Sequence, residues 1–198
     1  MRKTYCRSLA LCLLVASRTP GQTPLTIKLN GGLEASILQV GRSGNRQQLT
    51  LTMRLANRSS ETAYLLLVDQ PMATDNSGVA FDHYNNITGV TVSTCGFPGA
   101  PASWCLGIPE DRKGNRVPIQ SFTTLDPTPG SEGGINVNFV LTSNRESVGT
   151  TVSFSAHMYA RFVADPQRDS LDPDPPKYRE FRMMTLSFPP VHVTDLPR

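Results

Sequence analysis

Residues Leu49-Thr-Leu-Thr-Met-Arg-Leu55 give the clearest indication of the fold class, because large apolar residues alternate with polar ones. Successive side chains of a β-strand point to opposite faces, so this period of two predicts an antiparallel strand with one buried and one solvated face. The same alternation recurs at residues 25–29, 135–141 and 152–160. Residues 63–68 form a continuous apolar run, which predicts a strand covered on both faces.

Weaker strand patterns occupy residues 33–40 and 117–124, and residues 178–188 are predicted as a strand that stops at Pro189-Pro190. No amphipathic helix is indicated beyond the first segment. The 15 glycines and 16 prolines favour many turns. About seven to nine short strands with such turns predict an all-β protein, built as a β-sandwich. Long connections are expected at residues 69–86, 93–116 and 165–177.

The first segment is predicted to be a signal peptide. A basic start, with Arg2, Lys3 and Arg7, precedes an apolar run over residues 8–16 that is too short for the roughly 20 residues of a membrane-spanning helix. Val15 and Ser17 suit a cleavage site. We therefore expect a signal peptide at residues 1–17, cut between 17 and 21, and a single β-sandwich domain at residues 22–198. A buried N-terminal helix and a lipoprotein acylated at Cys12 are the alternatives.

Setting the leader aside changes the charge and cysteine counts. The whole chain has 19 Lys+Arg and 16 Asp+Glu, and a cut after Ser17 removes three cationic residues, leaving 16 against 16. A near-neutral mature chain gives no case for nucleic acid or an anionic membrane as partner. Of four cysteines, Cys95 and Cys105 remain, and a single pair in an exported chain predicts a disulfide.

A family resemblance adds to this pattern. The stretch Leu49-Thr-Leu-Thr-Met-Arg-Leu-Ala-Asn-Arg-Ser-Ser60 resembles the strand and Asn-x-Ser turn of secreted bacterial immunoglobulin-like domains. Asp75-Asn-Ser-Gly78 fits the same pattern, and so does Leu125-Asp-Pro-Thr-Pro-Gly130 before its strand. The resemblance spans residues 49–160. It implies an immunoglobulin-like antiparallel sandwich with an extracytoplasmic, periplasmic or secreted, binding role, and it carries no catalytic residues.

The segment Cys95-Gly-Phe-Pro-Gly-Ala-Pro-Ala-Ser-Trp-Cys105 is the most distinctive of the chain, since it is uncharged and contains the only tryptophan. A disulfide-closed, proline-stiffened loop loses little entropy on binding, and Trp is frequent at interface hot spots. One hypothesis is that Phe97 and Trp104 anchor a partner. The other is that Trp104 folds back and covers one end of the sandwich.

Catalytic and metal signatures are weak. The three histidines lie on different elements; His157 is expected to be an exposed strand residue, whereas His83 lies near Asp75 and Asp82. The sequence has neither G-x-S-x-G nor H-E-x-x-H. The loop that contains Asp165, Asp169, Asp172 and Asp174 is a weak Ca²⁺ candidate, but it lacks the D-x-[DN]-x-[DN]-G run, and flanking cations favour solvated ion pairs. We expect no metal and no cofactor.

Three functions follow in order of preference. The first is an exported, non-enzymatic domain that binds a protein or another macromolecule at the cell envelope or outside the cell, through loops or sheet edges. The second is a structural or accessory subunit of an envelope assembly. The third is a hydrolase that uses His83. The sequons at Asn57 and Asn86 are expected to carry no glycan, because the leader and composition are typical of bacterial proteins.

Overall fold

The computed structural model describes residues 24–67, 71–92, 122–130, 133–170, 172 and 180–196. In this part the chain forms one 3₁₀ turn (Asn30–Gly32), one short helix, α1 (Pro166–Ser170), and twelve strands. The strands are β1 (Leu25–Lys28), β2 (Leu33–Arg42), β3 (Gln48–Asn57), β4 (Thr62–Leu67), β5 (Met72–Asp75), β6 (Ala80–Phe81), β7 (His83–Thr88), β8 (Thr123–Leu125), β9 (Ile135–Thr142), β10 (Thr151–Val163), β11 (Arg182–His192) and β12 (Thr194–Asp195). No helix of the described residues has the length and apolar character needed to cross a membrane.

The strands form two sheets. The first has the order β1-β2-β3-β9-β7, and β12 pairs in parallel with the end of β2. In the second, β10 pairs antiparallel with β11 on one side, whereas β4 and β5 pair with its two halves on the other. β8 extends the sheet beyond β4, and β6 extends it beyond β5.

The strand order identifies the sandwich type. Taken as one interrupted strand, β4 and β5 join β10 and β11 in a sheet that faces β2-β3-β9-β7. This is the four-plus-three arrangement of an immunoglobulin constant-type domain. In chain order β2, β3, β9 and β7 correspond to its strands A, B, E and D, and β4/β5, β10 and β11 correspond to the opposite strands C, F and G. The predicted immunoglobulin-like antiparallel sandwich is confirmed. The described strands exceed the predicted seven to nine because short edge segments are included and β4 and β5 are counted separately.

The core lies between the sheets and follows the predicted alternation. Leu49, Leu51, Met53 and Leu55 of β3 are all buried, and they belong to one continuous cluster with apolar residues of the neighbouring β9 and of β10 in the other sheet. β4 is buried along its whole length, as its apolar run predicts. One of its faces packs in the main core; the other packs in an outer cluster that consists of Tyr64, Leu66, Tyr159, Val163 and Phe181, with Phe122 against it.

Two expectations from the sequence are wrong in detail. β11 does not stop at Pro189-Pro190 but continues to His192 through a register shift opposite Val152 and Phe154. Among the described strands β11 pairs with β10 alone, so the missing proline N–H groups face no second strand of that part. The connection expected at residues 69–86 contains β5, β6 and part of β7, because the Asp75 carboxylate accepts hydrogen bonds from the Ser77 and Val79 amides and closes a tight turn.

Candidate functional site

Four connections lie at the same end of the sandwich, which we call the loop pole: residues 29–32, 58–61, 89–134 and 164–181. The register places the end of β3 beside the start of β9, and the end of β10 beside the start of β4. The long connection begins and ends with glycines in the left-handed region, Gly89 (φ 92°) and Gly134 (φ 122°). A Cβ at either position would collide with a neighbouring strand's backbone, so glycine is required there.

Asn57 organises one side of the loop pole. Its side chain is completely buried, and its amide donates to the carbonyls of Glu61 (2.7 Å) and Leu125 (3.0 Å). Its carbonyl oxygen accepts from the amide and hydroxyl of Ser59. One side chain thereby fixes the β3–β4 turn and joins it to the end of β8. The Asn57 sequon is consequently inaccessible in the folded chain, whereas Asn86 is exposed on β7.

Arg161 organises the other side. Its guanidinium donates two hydrogen bonds of 2.8 Å to the Asp169 carboxylate, and its Nε lies 3.4 Å from Glu180. The hydrogen bond to Asp169 raises the pKa of Arg161, and burial together with the Asp169 charge raises the pKa of Tyr64. The guanidinium also lies 5.9 Å from the centre of the Tyr64 ring, which is within cation–π range.

Two of the four aspartates in the weak Ca²⁺ candidate take part in contacts within the protein. Asp169 is engaged by Arg161, and Asp165 caps α1 by accepting a hydrogen bond from the Arg168 amide (3.2 Å). Asp172 belongs to the described residues, whereas Asp174 lies outside them. Among the described residues, no group of three or more His, Cys, Asp or Glu side chains is placed to hold a metal ion.

The outer cluster lies on the face of the second sheet that points away from the main core. Tyr64 and Phe122 stack with ring centres 4.1 Å apart, and Phe122 lies 6.4 Å from Phe181. Phe122 lies within the connection at residues 89–134, and Phe181 is the last residue of the one at 164–181. Sequence patterns do not predict this cluster, because its members are distant in the chain; the continuous apolar run of β4 is the one signal for it.

The remaining predicted contact residues lie outside the described part of the chain. They are Cys95, Cys105, Phe97 and Trp104, all within residues 93–121. The predicted disulfide and the predicted anchor residues therefore stay predictions. The topology does establish that the connection containing them starts and ends at the loop pole.

His83 does not form a catalytic constellation with the described residues. Its side chain is 62 % exposed on β7, and its Nδ1 lies 2.6 Å from the carboxylate of the adjacent Asp82. Asp75 is buried, and the two serine hydroxyls it binds are those of Ser77 and Ser147. Across the described residues, no serine hydroxyl hydrogen-bonds the His83 ring, so the Ser, His and Asp of a triad are not assembled there.

The opposite end, the clamped pole, consists of the tight turns at residues 43–47 and 76–79, the β9–β10 connection and β12. Asp75 and Arg42 are each 5 % exposed there and meet at the Ser147 hydroxyl, which donates to Asp75 (2.5 Å) and accepts from Arg42 (2.9 Å). Arg42 also binds Asp195 at 2.7 Å. Burial raises the pKa of Asp75, but hydrogen bonds, those from Ser147 and the Val79 amide foremost, outweigh it and lower the pKa to about 2.

An open cavity of about 830 Å³ adjoins the clamped pole, lined by Ser43, Gly44, Asn45, Arg46, Gln48 and Glu146. Several of its polar groups are already hydrogen-bonded within the β2–β3 turn: the Ser43 hydroxyl donates to Asn45, and the Gln48 amide donates to Ser43.

Comparison with known proteins gives structural similarity at low sequence identity. No family model matches the chain, and no curated protein matches it. Among solved structures, the GAE domain of GGA2p from Saccharomyces cerevisiae is similar over 85 % of this chain and 100 % of its own length, with 7 % sequence identity and a TM-score of 0.38. That similarity is too low to carry an argument about function.

Proposed function

We propose that this chain is an exported, non-enzymatic β-sandwich domain that binds a protein or another macromolecule at the cell envelope or outside the cell. The contact surface is the loop pole. The observation that carries the proposal is that both long connections, residues 89–134 and 164–181, leave one end of an immunoglobulin-like sandwich. Loops on a rigid scaffold are where binding residues concentrate.

The described base of the loop pole supports this assignment. Asn57 and the Arg161–Asp169 pair fix the strand ends from which the connections leave. A base that is already ordered lowers the entropy cost of presenting a loop to a partner. In the proposal, Phe97 and Trp104 are the anchor residues, and the Cys95–Cys105 disulfide restricts the loop that carries them.

The decisive experiment is site-specific photo-crosslinking of the mature protein in its native envelope fraction. A photoreactive residue at position 97 or 104 is expected to give one discrete adduct, and the same residue at Asn45 of the clamped pole is expected to give none. Adducts that form equally at Asn45, or at neither pole, would contradict the proposal. A stoichiometric adduct within one stable complex would favour the accessory-subunit function.

Trp104 provides an independent test, because it is the only tryptophan in the chain. A contact residue gives red-shifted, quencher-accessible emission in the free protein and a blue shift on partner binding. Blue-shifted emission that resists quenching in the free protein would show that Trp104 covers the sandwich instead.

Export and the disulfide are tested together by intact-mass measurement of protein taken from the extracytoplasmic fraction. We expect an N-terminus between residues 18 and 22. Alkylation without reduction should add no mass, and alkylation after reduction should modify two thiols. An uncleaved chain or two free thiols would contradict these parts of the proposal.

A further inference from the structure

The segment that follows β11 crosses from one sheet to the other at the clamped pole. β11 pairs with β10 in the second sheet, whereas β12 pairs in parallel with the end of β2 in the first, beside Gly41 and Arg42. We call residues 194–196, which contain β12, the strap. Because it continues directly from β11, the strap connects the two sheets at this end of the sandwich.

Arg42 presents a fixed cation to the strap. Its side chain is 6 % exposed, and its Nη1 donates to the Ser147 hydroxyl (2.9 Å) and to the carbonyls of Ser147 (3.1 Å) and Gly149 (2.6 Å). Its Nε and Nη2 each lie 2.7 Å from one carboxylate oxygen of Asp195 in the strap. The acceptors of Nη1 belong to the β9–β10 connection and not to the strap. The guanidinium is therefore held in position for a carboxylate independently of Asp195.

Gly41 makes room for the Leu196 side chain of the strap. Its φ lies outside the left-handed region, so the backbone conformation does not require glycine. A Cβ at this position would lie 3.0 Å from Cδ1 of Leu196, and the next two nearest atoms belong to the same leucine. The Leu196 amide also donates to the Arg42 carbonyl (2.8 Å). The end of β2 thus offers an Asp-Leu pair a guanidinium, a main-chain acceptor and space for an aliphatic side chain.

The strap is held by few buried contacts. Thr194 and Asp195 are exposed and Leu196 is half-buried, whereas Val193 before them is buried in the main core. The Val193 amide donates to the Thr150 carbonyl, which fixes the chain just before the strap. Segments with few buried contacts open locally at a lower free energy than the whole fold. Opening after Val193 leaves the core side chains in place.

We propose that the end of β2 is a binding site for an extended segment in which Asp is followed by Leu, and that the strap is its releasable internal ligand. Release leaves a buried guanidinium without its carboxylate, which favours an anionic occupant. It also frees the main-chain edge at Gly41 and Arg42, where a segment of the same chemistry can add a strand. This site and the loop pole lie at opposite ends of the sandwich, so the two act independently.

Native-state hydrogen exchange of the folded chain tests release. We expect the protection factor of the Leu196 amide to be at least a hundredfold lower than those of the β3 amides. Salt should lower it further, because the Asp195 side chain is 54 % exposed and its ion pair is screened. Asp195→Asn should lower it at least tenfold, and Asp82→Asn should not. Equal protection of Leu196 and β3 would mean that the strap opens only when the whole chain unfolds, and would overturn the proposal.

Gly41→Ala tests the leucine contact. The added methyl group displaces the Leu196 side chain, so we expect the protection factor of the residue 196 amide to fall at least tenfold. In a Leu196→Ala background the same substitution should have no effect, because the three atoms that the Cβ meets are absent. An equal fall in both backgrounds would show that Gly41 does not receive the leucine, and that the end of β2 is no site for an Asp-Leu pair.

Binding in trans is tested with the blocked peptide Ac-Val-Thr-Asp-Leu-NH₂ and its match with Asn in place of Asp. Asp195→Lys repels Arg42 and vacates the site. In NMR titration of this variant, we expect the Asp peptide to shift the Gly41, Arg42 and Ser43 amides and the Asn peptide to bind at least tenfold more weakly. The wild type should bind the Asp peptide at least tenfold more weakly than the variant, because its own strap competes.

Two results of the titration would overturn the proposal. In one, the Asp peptide shifts no amide at the end of β2 although the β3 amides of the variant stay protected. In the other, the wild type and Asp195→Lys bind the peptide equally, which would mean that the strap does not occupy the same site. If Asp195→Lys does not fold, the exchange measurements on the wild type decide whether the strap is releasable.

Discussion

At the clamped pole Arg42 and Asp75 are 5 % exposed, whereas at the loop pole the side chains of Arg161 and Asp169 keep 22 % and 18 % of their surface. The clamped pole joins β2, β5 and the β9–β10 connection through buried groups that bond to one another, and Arg42 binds the half-exposed Asp195 of β12. Among the described residues of the loop pole, Asn57 is completely buried and Thr62 is 5 % exposed, whereas the Arg161–Asp169 pair stays partly exposed. The difference indicates that the first end serves to hold the sheets together and the second to present loops.

The largest expected effect comes from removing the Asp75 carboxylate at the clamped pole. Asp75→Ala leaves the Ser147 hydroxyl and the Val79 and Gly149 amides without their buried acceptor. Hydrogen bonds to charged groups contribute about 1.5–3 kcal/mol each, and unsatisfied buried donors add to the loss, so we expect the free energy of unfolding to fall by roughly 3 kcal/mol. Urea denaturation measures it.

Asp82→Ala is the matched control, because this aspartate is exposed beside His83. Its expected loss is about 0.5 kcal/mol or less. Equal losses in the two variants would mean that the clamped pole does not fasten the sheets in the way its buried hydrogen bonds indicate.

The corresponding change at the loop pole is Asn57→Ala. It removes two donated hydrogen bonds and the acceptor of the Ser59 amide, and we expect a loss of roughly 2 kcal/mol in the free energy of unfolding. Hydrogen exchange should accelerate at residues 58–62 and 123–128, while amides of the clamped pole keep their protection.

Asn86→Ala, on exposed β7, is the control and should change neither stability nor exchange at the loop pole. If Asn57→Ala accelerates exchange equally at both ends, the two poles are one cooperative unit, and the proposed division between them is wrong.

Acid should weaken the clamped pole in a defined pH window. The folded-state pKa of Asp75 is about 2, whereas the unfolded carboxyl titrates near its ordinary value of 3.8. The stabilisation is therefore fully present above about pH 4 and is lost as the pH falls through about 2. A pKa lowered from 3.8 to about 2 corresponds to roughly 2 kcal/mol.

Denaturation between about pH 5 and pH 2 measures this loss. Asp75→Asn is expected to be less stable at pH 5 and to lose less stability than the wild type on acidification. Asp82→Asn should keep the wild-type pH dependence. A steeper acid loss in Asp75→Asn than in the wild type would show that other carboxyls govern the transition.

Local sequence patterns predicted the sandwich, because strands such as β3, β9 and β10 are long enough for alternation to appear. β5 and β6 were missed, since a strand of two to four residues shows no period. The path of β11 beyond its prolines depends on its position at a sheet edge, which only the assembled sheet shows.

The groups that distinguish the two poles escaped sequence analysis for a similar reason. Arg42 and Asp195 are separated by 153 positions in the chain, and Asn57 reaches Leu125 across 68. In the sequence these residues look like ordinary residues at strand ends and turns, because their partners become neighbours only when the sheets pack. The turn at Asp75 was identified from its Asn-Ser-Gly sequence, but the burial of the carboxylate follows from β10 and the β9–β10 connection packing around it.

The smallest expected effect is a gain in stability at the β2–β3 turn of the clamped pole. Arg46 has a φ of 58°, in the left-handed region, where a residue with a Cβ is strained by about 1 kcal/mol. Its backbone donates to the Ser43 carbonyl and accepts from the Ser147 amide, while its side chain lies 4.0 Å from Asp195 at the surface.

Arg46→Gly keeps the main-chain hydrogen bonds, so we expect a gain of about 0.5 kcal/mol in the free energy of unfolding, measured by urea denaturation. Arg46→Ala removes the same side chain but keeps the Cβ, and it should give no gain. If Ala and Gly stabilise equally, the exposed guanidinium destabilises the clamped pole and backbone strain does not.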